Sequence, residues 1–182
     1  MDSITRLARS TVCVVAALVL AAPVLRAQSK PQTREGLWFS GGLGIGSLGC
    51  EDCVDRETGP SGQISFGGTI SPRFQLGASL NVWSKSKEGI RLTQSGLMAL
   101  ARFYPQVASG FFLQGGLGIG QIRAGGSGES DSTTGGSALL GLGYDFRVGT
   151  NVSLTPFLNA VGGSFDGGTS NFGQLGLSVT WH

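Results

Sequence analysis

The chain has 182 residues, of which 32 are glycine and only 13% are charged, with a formal net charge of +2. Setting aside residues 1–27, on grounds given next, removes three Arg and one Asp and leaves ten basic and ten acidic residues. A neutral remainder offers no clustered positive surface to a nucleic-acid partner, and about 155 residues suffice for one domain.

Arg6 and Arg9 precede an apolar run from Val12 to Leu25, and Ala27 closes a cleavage site in the stretch Leu25, Arg26, Ala27, Gln28. That is the pattern of a secretory signal. The run is roughly 14 residues, short of the ~20 a helix needs to cross a bilayer. Residues 1–27 are therefore expected to be cleaved, Cys13 with them, leaving a short lead at 28–35 and a single domain at 36–182. No later segment is apolar for long enough to be a transmembrane helix, and a β-barrel would not show one, because each strand buries only alternate residues.

From residue 36 onward the alternation has period two, which predicts strands. The first spans 36–48 with Leu37, Phe39, Leu43 and Ile45 on one face. The second, 62–70, sets Ile64, Phe66 and Ile70 against Gln63, Ser65 and Thr69. The third, 74–83, places Phe74, Leu76, Ala78, Leu80 and Val82 opposite Gln75, Gly77, Ser79 and Asn81. The fourth, 91–104, puts Leu97, Ala99, Ala101 and Phe103 outside. The fifth, 111–122, repeats at 115–120 the hexapeptide Gly-Gly-Leu-Gly-Ile-Gly of 41–46; two copies fall short of a solenoid period. The sixth, 136–146, has Ala138, Leu140, Leu142, Tyr144 and Phe146 on one side. The seventh, 151–162, contains Pro156, which cannot donate to a ladder. The eighth, 172–181, sets Leu175, Leu177, Val179 and Trp181 against Gln174, Gly176, Ser178 and Thr180.

The connectors then divide into two sets. Short ones centre on Ser71-Pro72, Pro105–Gly110 and Arg147–Thr150. Long ones cover 49–61, 84–90, 123–135 and 163–171 and hold Glu51, Asp52, Asp55, Lys85, Lys87, Glu129, Asp131 and Asp166. Such an alternation is how an up-and-down barrel threads a bacterial outer membrane, with short turns and both termini on the periplasmic side. Membrane barrels also carry aromatic girdles at both interfaces. Trp38, Phe39, Phe74, Phe103, Tyr104, Phe111, Phe112, Tyr144, Phe146 and Trp181 fall beside the short turns or termini, and Trp83, Phe165 and Phe172 beside the long loops.

With Leu139-Leu-Gly-Leu-Gly-Tyr-Asp-Phe146 and Leu154-Thr-Pro-Phe157, this pattern resembles the small eight-stranded outer-membrane barrels of the OmpA/OmpX type, including opacity-like surface barrels. The resemblance covers nearly all of the chain after the signal. It implies an all-β, eight-stranded antiparallel up-and-down transmembrane barrel in the bacterial outer membrane. It also implies a final strand with alternating apolar residues ending on an aromatic, which Leu175, Leu177, Val179 and Trp181 match, although His182 follows. The expected partners are outer-membrane lipids, the barrel-insertion machinery during assembly and an unidentified extracellular ligand of the long loops. No cofactor and no nucleic acid are expected, and the chain is expected to be a monomer.

An eight-stranded barrel is just wide enough to be filled by side chains, and the inward set mixes glycine with Gln75, Ser79, Asn81, Gln94, Gln114, Gln174 and Ser178. A plugged lumen follows. Arg102 and Asp145 share the inward phase near the same end and are expected to pair, because a buried charge is costly alone. Cys50-Glu-Asp-Cys53 is expected to form a small loop disulfide in an oxidising compartment, with free thiols as the alternative; zinc would need four ligands. Gly44-Ile-Gly46-Ser-Leu-Gly49 matches a dinucleotide fingerprint but lacks the helix that would receive a pyrophosphate, and Asn151-Val-Ser153 carries little weight as a glycosylation sequon. Two rivals remain: an exported soluble barrel with an apolar ligand inside, which would reverse every strand's facing, and an outer-membrane lipid-modifying enzyme, whose base would have to be a histidine or carboxylate at the outer rim.

Overall fold

A computed structural model describes residues 34–50, 55–87, 89–126, 129–166 and 168–182. The signal at 1–27, most of the lead and Cys53 lie outside them. Period-two alternation builds strands throughout: β1 (Leu37–Cys50), β2 (Glu57–Ser71), β3 (Phe74–Lys87), β4 (Ile90–Phe103), β5 (Phe111–Gly126), β6 (Glu129–Tyr144), β7 (Phe146–Arg147), β8 (Val152–Phe165) and β9 (Gly168–Trp181). Consecutive strands pair antiparallel, except that β6 and β7 both pair with β8, and β1 pairs with β9 through Phe39↔Trp181 to Cys50↔Ser170, closing the ring. The result is a closed eight-strand up-and-down barrel, in which β7 continues β6.

Pro156 explains that interruption. β6 pairs with β8 up to Gly143↔Phe157, and the same register resumes at Phe146↔Leu154 in β7. Between them Pro156 has no N–H to give the ladder, while the amide of Asp145 faces the other neighbour and donates to Gly110 O at 2.9 Å. The seventh expected strand therefore exists, with the proline marking a local gap.

The faces follow the anticipated phases. Leu43, Ile45, Phe66, Leu76, Leu97, Leu117, Leu140, Leu158, Leu175 and Val179 are all exposed on the outer surface, while Gln63, Gln75, Asn81, Gln94, Asn159 and Gln174 are buried inside. An apolar outside and a polar inside suit a bilayer; the soluble-carrier alternative needs the reverse and is excluded. Close packing accompanies the small inward residues. A Cβ on Gly77 would overlap the Phe66 carbonyl of β2, and one on Gly67 the Leu76 carbonyl of β3, so these two strands approach each other only because both positions are glycine.

One expectation is corrected. The distal connectors, on the side away from the termini, are not long: the strand bounds leave only 51–56, 88–89, 127–128 and 166–167. Residues 84–87, 123–126 and 129–135 belong to strands. The polar sequences Ser84-Lys-Ser-Lys87 and Ser130-Asp-Ser-Thr-Thr134 look like loops because neither face is apolar. Where a barrel wall rises past the membrane both faces are wet, and the backbone ladder continues under polar side chains.

Candidate functional site

At the end carrying both termini, alternation brings a charged cluster inward. Arg34, from the segment preceding β1, is buried with its guanidinium carbon 3.6 Å from the Tyr104 ring centroid. It donates to the carbonyls of Val107 (3.0 Å) and Ser109 (2.6 Å) in the β4–β5 connector. The Tyr104 hydroxyl contacts Gln75 Oε1 (3.2 Å) and donates to Asp145 Oδ2 (2.9 Å), and Thr155 donates to Asp145 Oδ1 (2.7 Å). From Thr155 the chain of hydroxyls runs through Thr180 to Ser40 and Ser178.

His182, the residue beyond the expected aromatic terminus, joins this cluster. Its amide donates to Asn151 O at 2.9 Å, and its ring is almost fully buried with Nε2 3.6 Å from Asp145 Oδ2. Burial pushes the imidazole down to about 4; Asp145 opposes that shift, while Arg147, Arg34 and Arg102 add to it. The ring is neutral at pH 7, so its proximity to Asp145 is a polar contact and not an ion pair. Tyr104 is raised above the usual phenol range, chiefly by burial and then by the Asp145 charge.

Midway along the lumen the side chains cross-link opposite walls. Arg102 Nε donates to Gln114 Oε1 (3.0 Å), Gln114 Nε2 to Asn159 Oδ1 (2.6 Å), and Asn159 Nδ2 to Gln63 Oε1 (2.8 Å). That single run joins β4, β5, β8 and β2. A second joins β9, β3 and β2: Gln174 to Asn81, Asn81 to Ser79, and Ser65 to Ser79. An apolar cluster of Trp38, Leu48, Trp83, Met98, Leu100, Leu139, Val161 and Phe172 fills the remaining interior. Trp83 is wholly buried and donates Nε1–H to Gly46 O at 3.0 Å. No sequence signal distinguished Met98, Leu100, Leu139 and Val161 from lipid-facing residues except strand phase.

Above this layer the distal mouth opens. A cavity of about 260 Å³ is lined by Leu48, Leu92, Gln94, Ile122, Phe165 and Ser170, among others, and Ser170 bridges Gln94 Oε1 (2.8 Å) and Gly49 O (3.3 Å). Beside it, Glu57 on β2 binds Lys85 and, at 3.3 Å, Lys87 on β3. The mouth is thus a mixed vestibule over a sealed floor. Among the described residues no group of three or more His, Cys, Asp and Glu is placed to hold a metal.

The expected girdle divides. Phe39, Phe74, Phe111 and Trp181 are exposed outward, and Phe103, Tyr144 and Phe146 are partly so, with Phe74–Phe103 and Tyr144–Phe146 centroids 4.9 and 4.7 Å apart. Trp38, Tyr104 and Phe112 at this end, and Trp83, Phe165 and Phe172 at the other, are buried inside. The distal girdle is therefore corrected to a lumen plug. Adjacent aromatics such as Trp38 and Phe39 cannot share a face in a strand, so one of each such pair had to point inward.

Arg102 and Asp145 are both fully buried. They do not meet directly: Arg102 binds Gln114 and lies 4.2 Å from the Trp38 ring centroid and 4.9 Å from that of Phe112, whereas Asp145 accepts from Tyr104 and Thr155. Tyr104, which feels both charges, stands in the same region. Cys50 is disulfide-bonded; Cys53 lies outside the described residues. Gly44, Gly46 and Gly49 of the apparent dinucleotide fingerprint are all within strand β1, and among the described residues no helix N-terminus follows them.

No protein-family model matches the sequence, and no curated protein does. Solved structures do match in fold. Ail, the attachment invasion locus protein of Yersinia pestis, is similar with a TM-score of 0.60 at 15% identity, over 82% of this chain and all of that one. Neisserial surface protein A gives 0.58 at 19% identity, over 82% and 98%. The N-terminal β-barrel domain of OprF from Pseudomonas aeruginosa gives 0.50 at 13%, over 82% and 100%. These are small barrels of the bacterial outer membrane, and that is the architecture of this chain.

Proposed function

We propose that this outer-membrane barrel is a non-enzymatic structural or surface-interaction protein, with its termini in the periplasm, its distal strands outside the cell and a lumen that does not conduct. The observation that carries this reading is the continuous interior. Two hydrogen-bonded runs and an apolar layer occupy the cross-section from Arg34 to Trp83, consistent with the narrow interior of an eight-strand ring. Ail, named for attachment and invasion, places surface contact among the roles this scaffold serves elsewhere.

The lipid-modifying alternative asks for a base at the distal rim. The one histidine, His182, sits at the terminal end, so a base at the distal rim would have to be a carboxylate, and Glu57 there is held by Lys85 and Lys87. The test is twofold. Purified protein in planar bilayers should show no stepwise conductance while migrating differently on gels before and after heating. Steady channel openings would refute the closed lumen, and a change in lipid acylation that depends on the gene would refute the non-enzymatic role.

A further inference from the structure

The sealed floor makes the distal cavity blind. Gln94 on β4 and Ser170 on β9 stand on opposite walls, because β4 is as far from β9 through β3, β2 and β1 as through β5, β6 and β8. The 2.8 Å hydrogen bond from Ser170 Oγ to Gln94 Oε1 therefore spans the lumen. Leu48, which lines the cavity, belongs to the buried apolar cluster, and Leu92, which also lines it, packs against that cluster. Ile122 on β5, Thr133 on β6 and Phe165 on β8 complete a wall drawn from both sides of the ring.

Two features of this cavity point to an occupant. The first is Gln94 itself. The residue is 1% exposed, its oxygen is taken by Ser170, and its amide nitrogen has no partner among the described residues. A buried donor without an acceptor is costly, and native interiors leave few of them. This one borders open space, where a bound molecule would supply the acceptor.

The second feature is the chemistry of the lining. Leu48, Leu92, Ile122 and Phe165 offer an apolar surface, which is the usual lining of a small-molecule site with a few placed polar groups. Charge is sparse: Asp166 is the one charged residue among the described lining residues, and beside the cavity Lys85 and Lys87 are engaged by Glu57. An anion entering here would face Asp166 while the neighbouring lysines are already held. Volume sets the size of the occupant. An apolar cavity of about 150 Å³ takes benzene, so one of about 260 Å³ has room for a body of about ten carbon atoms.

We infer that the distal vestibule is a binding site for a small uncharged molecule, with an apolar body the size of a fused bicycle and one oxygen that accepts from Gln94 Nε2. Leu48, Leu92, Ile122 and Phe165 enclose the body, and the amide of Gln94 orients it. The molecule enters and leaves by the same mouth, since the layer beneath is closed. The site needs only the cavity and its floor, so it stands whichever face of the membrane the distal end meets.

The test is a titration of the nitrogen-15-labelled full chain without its signal, in detergent micelles, with 2-naphthol, naphthalene and 2-naphthoate as probes. 2-Naphthol should shift the side-chain amide resonance of Gln94, identified by its absence from Gln94→Leu, and the backbone amides of Thr133 and Ser170, all to saturation. Gln94→Leu should weaken 2-naphthol about fivefold to tenfold, the worth of one hydrogen bond, and leave naphthalene unchanged. Each probe is compared with itself between variants, so partition into the micelle cancels. Ile122→Trp, which fills the cavity, should abolish saturable binding of both, and 2-naphthoate should give none. Shifts that rise without saturating and survive Ile122→Trp would mean that the probes act through the detergent phase only, and would overturn the inference. An equal loss of naphthalene in Gln94→Leu, or saturable binding of 2-naphthoate, would overturn it as well. Heat-modifiable migration checks that each variant is folded, and Thr133→Phe, paired with Ile122 across β5 and β6, fills the same space if Ile122→Trp does not fold.

Discussion

Asn159→Leu tests the claim that the polar lumen is a structural core. The wild-type side chain accepts from Gln114 at 2.6 Å and donates to Gln63 at 2.8 Å, and all three residues are at least 95% buried. Leucine has the same branching and number of heavy atoms but is bulkier and has no polar atoms, so the Gln114 amide N–H and the Gln63 carbonyl oxygen each lose a partner. An orphaned buried group costs about 1–3 kcal/mol, which sets the loss at about 2–6 kcal/mol. Gly141 sharpens this, because the Asn159 amide occupies the place its Cβ would take, leaving leucine little freedom to move aside. The assay is urea unfolding in detergent micelles followed by tryptophan fluorescence and by gel migration. The adjacent Leu158→Ala is the control, because Leu158 is 49% exposed on the outer face and trims only lipid-facing surface. If Asn159→Leu shifts stability by less than about 0.5 kcal/mol, the size of an ordinary surface change, the lumen network is not holding the walls together.

Three further outcomes follow from the same geometry. Trp83→Ala should destabilise by about 3–5 kcal/mol, as for other buried aromatics, while Trp83→Phe should cost about 0.5–1.5 kcal/mol by removing the hydrogen bond to Gly46 O; the same unfolding assay separates them. Gly77→Ala should cost about 1–3 kcal/mol because its Cβ collides with the β2 backbone, whereas Gly68→Ala, with open space around it, should be near neutral. The folded-state imidazole of His182 is depressed to about 4 from an ordinary value of 6.5, so the unfolded chain takes up a proton first as acidity rises. Its contribution is fully present above pH 6.5 and is lost as pH falls towards 4; His182→Gln should flatten stability across that window, and an unchanged slope in an unfolding series would refute the assignment.

The wall of this barrel was legible because its signal is a period. Once Leu76, Leu80 and Val82 are set against Gln75, Ser79 and Asn81, the facing of β3 is determined, and the same holds for β4 and β9. The distal ends were not legible by that means, since Lys85, Lys87 and Asp131 lie where neither face is apolar and the contrast disappears. A different signal was present there: Glu88-Gly89, Ser127-Gly128 and Asp166-Gly167 are dipeptides of the kind that favour two-residue hairpins. The inward aromatics could have been found by applying alternation to Trp38-Phe39 and Phe103-Tyr104, where position along the strand outweighed phase. The partners of Arg102 and Asp145 could not, because which lumen residues meet depends on the stagger of strands around the ring, a property of the closed barrel and of no single segment.

The rise of the strands past the apolar band changes how this protein would meet the outside world. About four to six residues of each strand project there as hydrogen-bonded sheet, roughly 10–15 Å of rigid collar. A protease added to intact cells should leave the described collar residues uncut, because their backbone is held in the ladder. Antibodies raised against linear peptides from 84–87 or 131–135 would miss the native surface, because in the folded collar those residues alternate between two faces and never present a continuous stretch. Serum against folded protein should recognise cells, while serum against such peptides should recognise only the boiled band on a blot.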